Sequence, residues 1–477
     1  MEIPEGLTFD DVLLVPQYSD ILSRQDVKLN TRISKNVPLN IPLVSSNMDT
    51  VTEDKMAIAM AQNGGIGILH RYCTVDEEVN MLKKVKRAES HIIYDPYTLS
   101  EDNVIRNARD KMSETGVGTF LIVDREDCLK GILTRRDIKY CDDNDDVKKR
   151  MTSIENMIYS YDSENITMEQ AKSKMIDNKI QKLPIVDGDY KVKSLICLKD
   201  IDRIEQRPLA NLDKNGRLRC GAAVGVKDEG FERAKRLIDA GADVLVIDIA
   251  HGHSLMCIDT LKKMKEQFDN VDIIAGNIAT YEGALDLIKA GADGIKCSIG
   301  SGSICTTRLM AGSGVPQLTA ILDAAPICHD FDVPLISDGG NRNYGNISKA
   351  LAAGADCVML GRMLAGSDES PGKVFIKDGK RVKIIRGMAS YGANLSNSQR
   401  QGTKEPDAIT SHIEGVEGYV SYSGPVEDTL RQICNGVRSG LTYSGARSIK
   451  ELQVKKKFIK NTKNGISESG VHDISQF

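Results

Sequence analysis

The 477-residue sequence lacks paired cysteines, a long apolar run and an excess of charge of either sign. Its 11 cysteines are odd in number, scattered and never in a CxxC pair, so neither a disulfide framework nor a zinc site is expected. Because no run of 18 apolar residues occurs, no transmembrane helix is expected. The formal net charge of −4 gives no reason to expect nucleic acid or a membrane surface as a partner.

Two further absences concern targeting and cofactor binding. The opening MEIPEGLTFDD has early acidic residues and no apolar core, so no secretory signal is expected, and a cytoplasmic location is favoured. No GxGxxG motif follows a predicted strand, so a Rossmann dinucleotide site is not indicated. The length itself predicts two domains.

From about residue 217, short apolar runs such as VLVID and PLISDGG alternate with amphipathic segments, three of which end in AGAD. A Gly at that place is typical of a helix stop. The alternation predicts an α/β fold with a parallel sheet, either open and doubly wound or closed as a (β/α)8 TIM barrel. The barrel is favoured because polar residues follow the strands, where barrel enzymes collect their sites. These residues are Asp248, Asn277, Gly300, Asp338 and Gly361.

Residues 93–205 interrupt this pattern with an internal repeat, in which IVD at Ile122–Asp124 recurs 63 residues later at Ile185–Asp187. The two copies resemble a tandem CBS pair inserted into the barrel. We therefore expect a catalytic barrel over 1–92 and 206–477 and a regulatory CBS domain over 93–205. The resemblance implies one adenine or guanine nucleotide site, although a folded module that binds nothing is the alternative. Its candidate residues are Thr134, Asp137 and Asp200.

The loop GSGSICTTR places Cys305 among small and hydroxyl residues that do not build a core. Its glycines allow a ligand to approach the backbone, and a following helix would place the thiol near a helix N-terminus, which favours the thiolate. The stretches DGG (Asp338–Gly340) and LGR (Leu360–Arg362) follow the last two predicted strands, where barrels bind phosphate. Composition and spacing thus predict a barrel enzyme with a phosphorylated substrate and a covalent thiol step.

Further motifs make the resemblance specific and extend it over the whole chain. They are GLTFDDVLLVP, SSNMDTVTE, VIDIAHGHS, AGN, GSGSICTTR, VPQLTAI, ISDGG, MLG and RGMAS. Together they resemble the IMP dehydrogenase and GMP reductase family, most closely the IMP dehydrogenases that carry CBS domains. This resemblance implies that Cys305 attacks C2 of a purine nucleotide, that Thr307 handles a proton, and that a hydride passes between C2 and a nicotinamide cofactor, NAD or NADP.

The same resemblance implies further ligands. The substrate IMP, XMP or GMP would be held by Ser46, Met48, Asn277, Ser303, Asp338, Gly340, Gly361, Arg362, Met388 and Glu414. The cofactor would be held by Asp248, Asn277 and Gly300. Backbone oxygens of Gly300, Gly302 and Cys305 would bind K⁺, with Glu468, Ser469 and Gly470 supplied by a neighbouring subunit. A homotetramer is therefore expected.

The chain departs from the family pattern at three places. Arg362 and Ile385 stand where the family has a serine and a tyrosine that bind phosphate. In residues 391–414, here called the flap, dehydrogenases carry an Arg-Tyr pair whose Arg activates the hydrolytic water. Here the match is Arg400 followed by Gln401, while Glu414 matches an acidic or amide flap position of both subfamilies.

These departures bear on the direction of the reaction. AHGHS, MDTVTE, RGM, the insertion and the ending ESGVHD favour IMP dehydrogenase. The missing tyrosine, a shorter flap and Ile385 favour GMP reductase. A non-catalytic nucleotide sensor is a third hypothesis, and the Cys305–Thr307 set argues against it because a sensor needs no nucleophile. We expect the dehydrogenase.

Overall fold

The computed structural model describes residues 3–88, 92–94, 96–164, 166–199, 201, 207–226, 228–407 and 413–470. The chain divides into two compact units. The first comprises Met1–Ala88, Leu209–Asp213 and Leu218–Phe477, and the second comprises Glu89–Pro208 and Lys214–Arg217.

A closed barrel of eight parallel strands forms the centre of the first unit. The strands are β1 (Leu43–Ser45), β2 (Ile66–Leu69), β3 (Cys220–Val224), β4 (Val244–Ile247), β5 (Asp272–Ile278), β6 (Gly294–Cys297), β7 (Leu335–Asp338) and β8 (Cys357–Leu360). Each strand pairs in parallel with the next, and β8 pairs with β1. The predicted (β/α)8 barrel is confirmed.

One principal helix follows each strand and covers the barrel from outside. The helices are α1 (Asp54–Gln62), α2 (Val75–Ala88), α3 (Asp228–Asp239), α4 (Leu255–Gln267), α5 (Tyr281–Lys289), α6 (Gln317–Asp330), α7 (Tyr344–Ala353) and α8 (Val426–Tyr443). Gly241 and Gly291, in the AGAD repeats after α3 and α5, have φ of 95° and 102°. This left-handed backbone ends the helix where the sequence predicts it, and the next strand starts within four residues.

The barrel strands are buried on both faces, which explains their continuous apolar runs. Alternate residues such as Ile66 and Ile68 of β2 and Val244 and Val246 of β4 form a cluster inside the barrel. The intervening residues, such as Leu245, pack outward against the helices. The interior is therefore a packed core, and the polar residues are left for the strand ends.

Other elements of the first unit frame the barrel. They are the strands Val12–Leu14, Thr31–Arg32, Pro38–Leu39, Phe375–Lys377, Lys380–Arg386, Glu417–Ser421 and Phe458–Lys460, and the helices Thr307–Met310, Arg362–Ala365, Tyr391–Gln401, Ile449–Lys455 and Lys463–Glu468. Arg386 pairs with Glu417 in an antiparallel ladder on either side of the flap. The two ends of the flap are thus held together at the base of that ladder.

The second unit contains a structural repeat. Its two sheets contain the strands Thr98–Ser100, Thr119–Val123, Leu129–Thr134 and Thr152–Ser153, and Ile92–Ile93, Ser160–Tyr161, Lys182–Val186 and Val192–Cys197. Its helices are Ile105–Thr115, Val147–Arg150 and Met168–Asp177. The hairpin at Thr119 and the helix at Ile105 recur 63 residues later at Lys182 and Met168. The internal repeat seen in the sequence is therefore present, and the CBS assignment stays a prediction.

Within the described part of the chain, no helix has both the length and the apolar character needed to cross a membrane.

Candidate active site

Two adjoining cavities, of about 500 and 350 Å³, lie at the C-terminal ends of the barrel strands. Both are lined by Ser46, Met48, Gly300, Gly302 and Asp338. The larger also contains the predicted residues Ser303, Gly340, Gly361 and Arg362, and the smaller contains Asp248, Asn277, Cys305, Thr307, Met388 and Glu414. The strand-end position predicted from the sequence thus brings these side chains together.

Cys305 lies in a loop that pairs with the end of the flap. The amide of Thr306 donates to the carbonyl of Glu414 at 2.9 Å, and the amide of Val416 donates to the carbonyl of Ile304 at 3.0 Å. Because these backbone bonds flank the thiol on both sides, the flap end and the cysteine loop hold each other in register.

The side chains of this pairing form a polar chain. Sγ of Cys305 lies 3.2 Å from Oγ1 of Thr307, whose hydroxyl donates to Oε2 of Glu414 at 2.6 Å. A thiol, a hydroxyl and a carboxylate in series provide a route for a proton from the sulfur to the carboxylate. The helix after the thiol, Thr307–Met310, is a single turn, so it supplies less dipole than a longer helix would.

The floor of the smaller cavity carries an unexpected cation. Lys296 of β6 is buried, and its Nζ donates to Oδ2 of Asp338 at 3.0 Å. Nδ2 of Asn277 donates to the same oxygen at 3.1 Å, while Oδ1 of Asn277 is buried without a hydrogen-bond partner. An orphaned acceptor facing a cavity fits a ligand that donates a hydrogen bond.

Asp248 lies at the end of β4 beside a second cation. Burial alone would raise the pKa of Asp248, but Arg71 and Lys296 outweigh it and hold this pKa below its usual value. Nε of Arg71 donates to Oδ2 of Asp248 at 3.3 Å. This carboxylate is therefore ionised at neutral pH and can accept hydrogen bonds from a ribose.

The larger cavity has an anion-binding character. Arg342 and Arg362 line it together with the amide-bearing turn at Gly339 and Gly340, whose φ values are 91° and 75°. A Cβ at Gly339 would approach Oγ of Ser301 to 2.8 Å, so this turn has no room for a side chain. Guanidinium groups and exposed backbone amides are groups that bind phosphate.

Arg400 is not among the residues that line these cavities. Arg400 belongs to the helix Tyr391–Gln401, and its Nη1 donates to the backbone carbonyl of Tyr72 at 3.4 Å. Tyr72 lines the smaller cavity, whereas Arg400 does not. Arg400 is therefore at the rim of the cavity and does not reach the thiol in this arrangement.

The predicted K⁺ ligands fall in two segments of the chain. Gly300, Gly302 and Cys305 share the cysteine loop, while Glu468, Ser469 and Gly470 end the helix Lys463–Glu468 and follow it. Among the described residues, no group of three or more His, Cys, Asp or Glu side chains forms a metal site. The predicted site uses mainly backbone oxygens, and it remains a prediction.

In the second unit, Thr134 and Asp137 form a closed turn. The amide and the hydroxyl of Thr134 donate to Oδ2 of Asp137 at 2.6 and 2.7 Å. Asp200, the third residue of the predicted nucleotide site, lies outside the described residues.

Comparison with known proteins decides the family. The protein-family model for the IMP dehydrogenase / GMP reductase domain matches residues 6–472 of this chain. The chain belongs to the IMP dehydrogenase and GMP reductase family. It is 49% identical to an inosine-5′-monophosphate dehydrogenase of Nitrosopumilus maritimus, covering 99% of both chains. It is 48% identical to a GMP reductase of Leishmania major, covering 99% of this chain and 98% of that one.

A solved structure of the family gives the same picture. The crystal structure of a GMP reductase from Trypanosoma brucei in complex with guanosine 5′-monophosphate matches with a TM-score of 0.93 and 48% identity, covering 99% of each chain. Dehydrogenases and reductases are thus equally similar to this member of the family.

Sequence reasoning missed Lys296, Arg71 and Tyr72. Lys296 is a lysine inside the apolar strand GIKC, and that interruption was the available signal. Arg71 and Tyr72 lie two and three residues after the end of β2, so the rule applied to Asp248 and Asn277 would also have found them.

Proposed function

We propose that the chain oxidises IMP to XMP, with NAD as the hydride acceptor, through a covalent intermediate on Cys305. The observation that carries the proposal is the chain from Cys305 through Thr307 to Glu414 in a cavity that adjoins a phosphate-binding pocket. A nucleophile, a proton route and an anion site at the strand ends are what this chemistry requires.

The thiolate of Cys305 attacks C2 of the purine, and the hydrogen on C2 leaves as a hydride to the bound nicotinamide. The product of this step is a thioimidate between Cys305 and the purine. Water then attacks C2, the C–S bond breaks, and XMP and the free thiol result. Thr307 and Glu414 accept and return the proton, while Asp338 and the Gly339–Gly340 turn hold the ribose and the phosphate.

The residues around Asp248 fit the nicotinamide riboside. Asp248 is ionised, Asn277 offers an unpaired acceptor, and Tyr72 and Arg71 border the same cavity. These groups would bind and orient the cofactor. A neutral ribose hydroxyl or amide can donate to both acceptors.

The direction of the reaction is supported by Arg400. The family's dehydrogenases use a flap arginine to activate water, and the reductases need no such cation. This chain retains the arginine on a helix that borders the Cys305 cavity. Because flap segments of enzymes move during turnover, we propose that this guanidinium enters the cavity once the cofactor product has left.

GMP reduction to IMP with NADPH is the second candidate. It is favoured by Gln401, which replaces the family's tyrosine, and by the position of Arg400 at the rim of the cavity, where it contacts the backbone carbonyl of Tyr72. Both reactions pass through the same thioimidate on Cys305. They differ in that GMP reduction releases ammonia, whereas IMP oxidation consumes water.

One assay with two substrates separates the candidates. The purified chain is given IMP, NAD⁺ and K⁺, and separately GMP and NADPH. We expect NADH and XMP in the first mixture and little change in the second. Oxidation of NADPH with release of ammonia, and no XMP, would establish the reductase instead. Turnover of neither pair, together with no protection of Cys305 from alkylation by IMP, would favour a nucleotide sensor.

The family also supports three associated proposals. We propose K⁺ at the cysteine loop, a homotetramer that completes its site with Glu468, Ser469 and Gly470, and a regulatory nucleotide bound by the second unit near Thr134 and Asp137. Omitting K⁺ from the assay and measuring mass in solution test the first two, and titration with adenine and guanine nucleotides tests the third.

A further inference from the structure

Among the described residues, the buried lysines Lys86 and Lys296 both form ion pairs with carboxylates. Nζ of Lys86 lies 3.1 Å from Asp213 and 2.5 Å from Asp243, just before β4 begins. Lys296 lies near the opposite, C-terminal ends of the strands, and it lines the catalytic cavity. The ion pairs of Lys86 therefore have a structural role, whereas Lys296 contacts Asp338, the carboxylate assigned to substrate binding.

Lys296 is charged despite its burial. Burial lowers the pKa of Lys296, but the carboxylates of Asp338 and Asp248 outweigh burial and raise this pKa above its usual value. Its ammonium is therefore attracted both by the carboxylate assigned to the substrate ribose and by the one assigned to the nicotinamide riboside.

The hydrogen bonds to Asp338 are one-sided. Among the described residues, Lys296 and Asn277 both donate to Oδ2 of Asp338, and no group donates to Oδ1. The Asp338 side chain is 21% exposed, so one part of the carboxylate meets the cavity. With Oδ2 saturated, Oδ1 remains as the acceptor for a ligand.

The neighbouring backbone leaves Lys296 little freedom. A Cβ at Gly276 would approach the carbonyl oxygen of Lys296 to 2.4 Å and its Cβ to 2.7 Å. Because β5 packs this closely on β6, the lysine stem is fixed and its ammonium can serve as a rigid support.

We propose that Lys296 is a positioning residue for substrate selection, which orients Asp338 so that the site accepts ribonucleotides through their ribose hydroxyls. The proposal rests on the proposed function, since it takes a purine nucleoside 5′-monophosphate as the ligand. A neutral side chain at this position would leave Asp338 held by Asn277 alone, and Oδ1 would lose its fixed direction.

The test compares binding of IMP and of its 2′,3′-dideoxy analogue by calorimetry, so it does not depend on turnover. We expect wild-type protein to bind IMP about 10- to 100-fold more tightly than the analogue, as expected when a charged acceptor binds hydroxyl donors. Lys296→Ala should reduce this ratio to below about threefold. Lys296→Met, which keeps the buried volume, is the second variant and should behave in the same way.

Two controls separate positioning from structural support. Lys86→Ala should lower the melting temperature and leave the IMP preference unchanged. Propylamine replaces the atoms that Lys296→Ala removes, so it should restore the preference in that variant. Asp338→Asn should lose the preference, and adding Lys296→Ala to it should change the ratio no further.

Several outcomes would overturn the inference. One is a Lys296→Ala or Lys296→Met protein that binds both ligands more weakly by the same factor, because that result indicates a structural role. Another is an unchanged preference in either variant. A wild-type protein that binds IMP without preference for ribose refutes the inference alone, whereas one that binds neither IMP nor GMP refutes the proposed function as well.

Discussion

The strand-end side and the flap side of the Cys305 cavity hold their functional groups in different ways. On the strand-end side, Lys296, Asn277 and Asp338 are tied to one another by hydrogen bonds from three neighbouring strands of a closed barrel. On the flap side, Arg400 is held among the described residues by a long hydrogen bond of 3.4 Å to the backbone carbonyl of Tyr72. The positions of the groups on the strand-end side are fixed by the barrel, whereas the position of Arg400 depends on how the helix Tyr391–Gln401 packs.

This difference separates the two halves of the proposed reaction. In the proposed reaction, Cys305, Thr307 and Asp338 serve attack at C2 and hydride transfer. Cys305 lies in the loop after β6, Thr307 begins the one-turn helix that follows it, and Asp338 ends β7. Arg400 is proposed to serve the hydrolysis that follows. Glu414 belongs to both, because it is a flap residue whose carbonyl is anchored to the cysteine loop. Substitutions on the two sides should therefore affect different steps.

The largest effect is expected from Cys305→Ala, which removes the nucleophile. Turnover of IMP should fall at least about 10⁴-fold. IMP binding should change little, because the protein groups proposed to bind the phosphate and the ribose are still present. Steady-state rates and calorimetry on the same sample measure both. Cys128→Ala, at a partly exposed thiol of the second unit, is the matched control and should keep full activity. Residual turnover near the wild-type rate would contradict the covalent mechanism.

The fold and the strand-end side were largely predictable from the sequence. Apolar runs that alternate with amphipathic segments left few solutions besides a parallel barrel, and β4 to β8 lie where those runs were found. Asp248, Asn277 and Asp338 converge because parallel strands bring their C-terminal ends to one face. Thr307 and Glu414, 107 residues apart, could be joined only through the resemblance.

The rest required contacts that no linear pattern encodes. The alternation of apolar runs with amphipathic segments identifies β6 as a buried strand, but it does not predict that a residue inside the strand is functional. The role of Lys296 could therefore not be predicted from this pattern. The helix after Cys305 was predicted, but its length of one turn depends on the short loop that must return to α6. The direction of the Arg400 side chain depends on the packing of Tyr391–Gln401 beside Tyr72, for example through Asn394, which contacts the Tyr72 hydroxyl.

The second-largest effect is expected at the residue shared by both sides. Glu414→Gln keeps the size of the side chain but removes its capacity to take a proton from Thr307. We expect turnover to fall by about 10²- to 10⁴-fold, the range of general acid–base catalysis. Stopped-flow absorbance should show whether hydride transfer or product release is slowed. Glu417→Gln, a carboxylate that instead bonds Ser390, is the control and should change turnover by less than about fivefold.

Arg400→Ala tests the flap side alone. If the flap guanidinium activates water, steady-state oxidation of IMP should fall about 10²-fold while the first burst of NADH keeps its amplitude. Rapid-quench measurement of the burst and the steady state separates the two steps. GMP reduction, if present, should change by less than about threefold, since it needs no flap cation. A lost burst would mean that Arg400 supports the strand-end chemistry, and the separation of the two sides would fail.

The smallest effect is expected at the phosphate end, where Arg362 stands in place of the family's serine. Arg362 is exposed and its Nη2 donates to the carbonyl of Arg342 at 3.3 Å, which directs the guanidinium along the wall of the larger cavity. Arg362→Ala should raise the KM for IMP about tenfold and leave kcat unchanged, because a charged hydrogen bond to phosphate is made equally in the ground and transition states. This increase in KM should be smaller at high salt, since the ion pair between Arg362 and the substrate phosphate is solvent-exposed.

Arg236→Ala, which removes a surface charge paired with Asp76, should change neither constant. An equal fall in kcat would place Arg362 in the positioning of C2 against Cys305 and would extend the strand-end side to the phosphate.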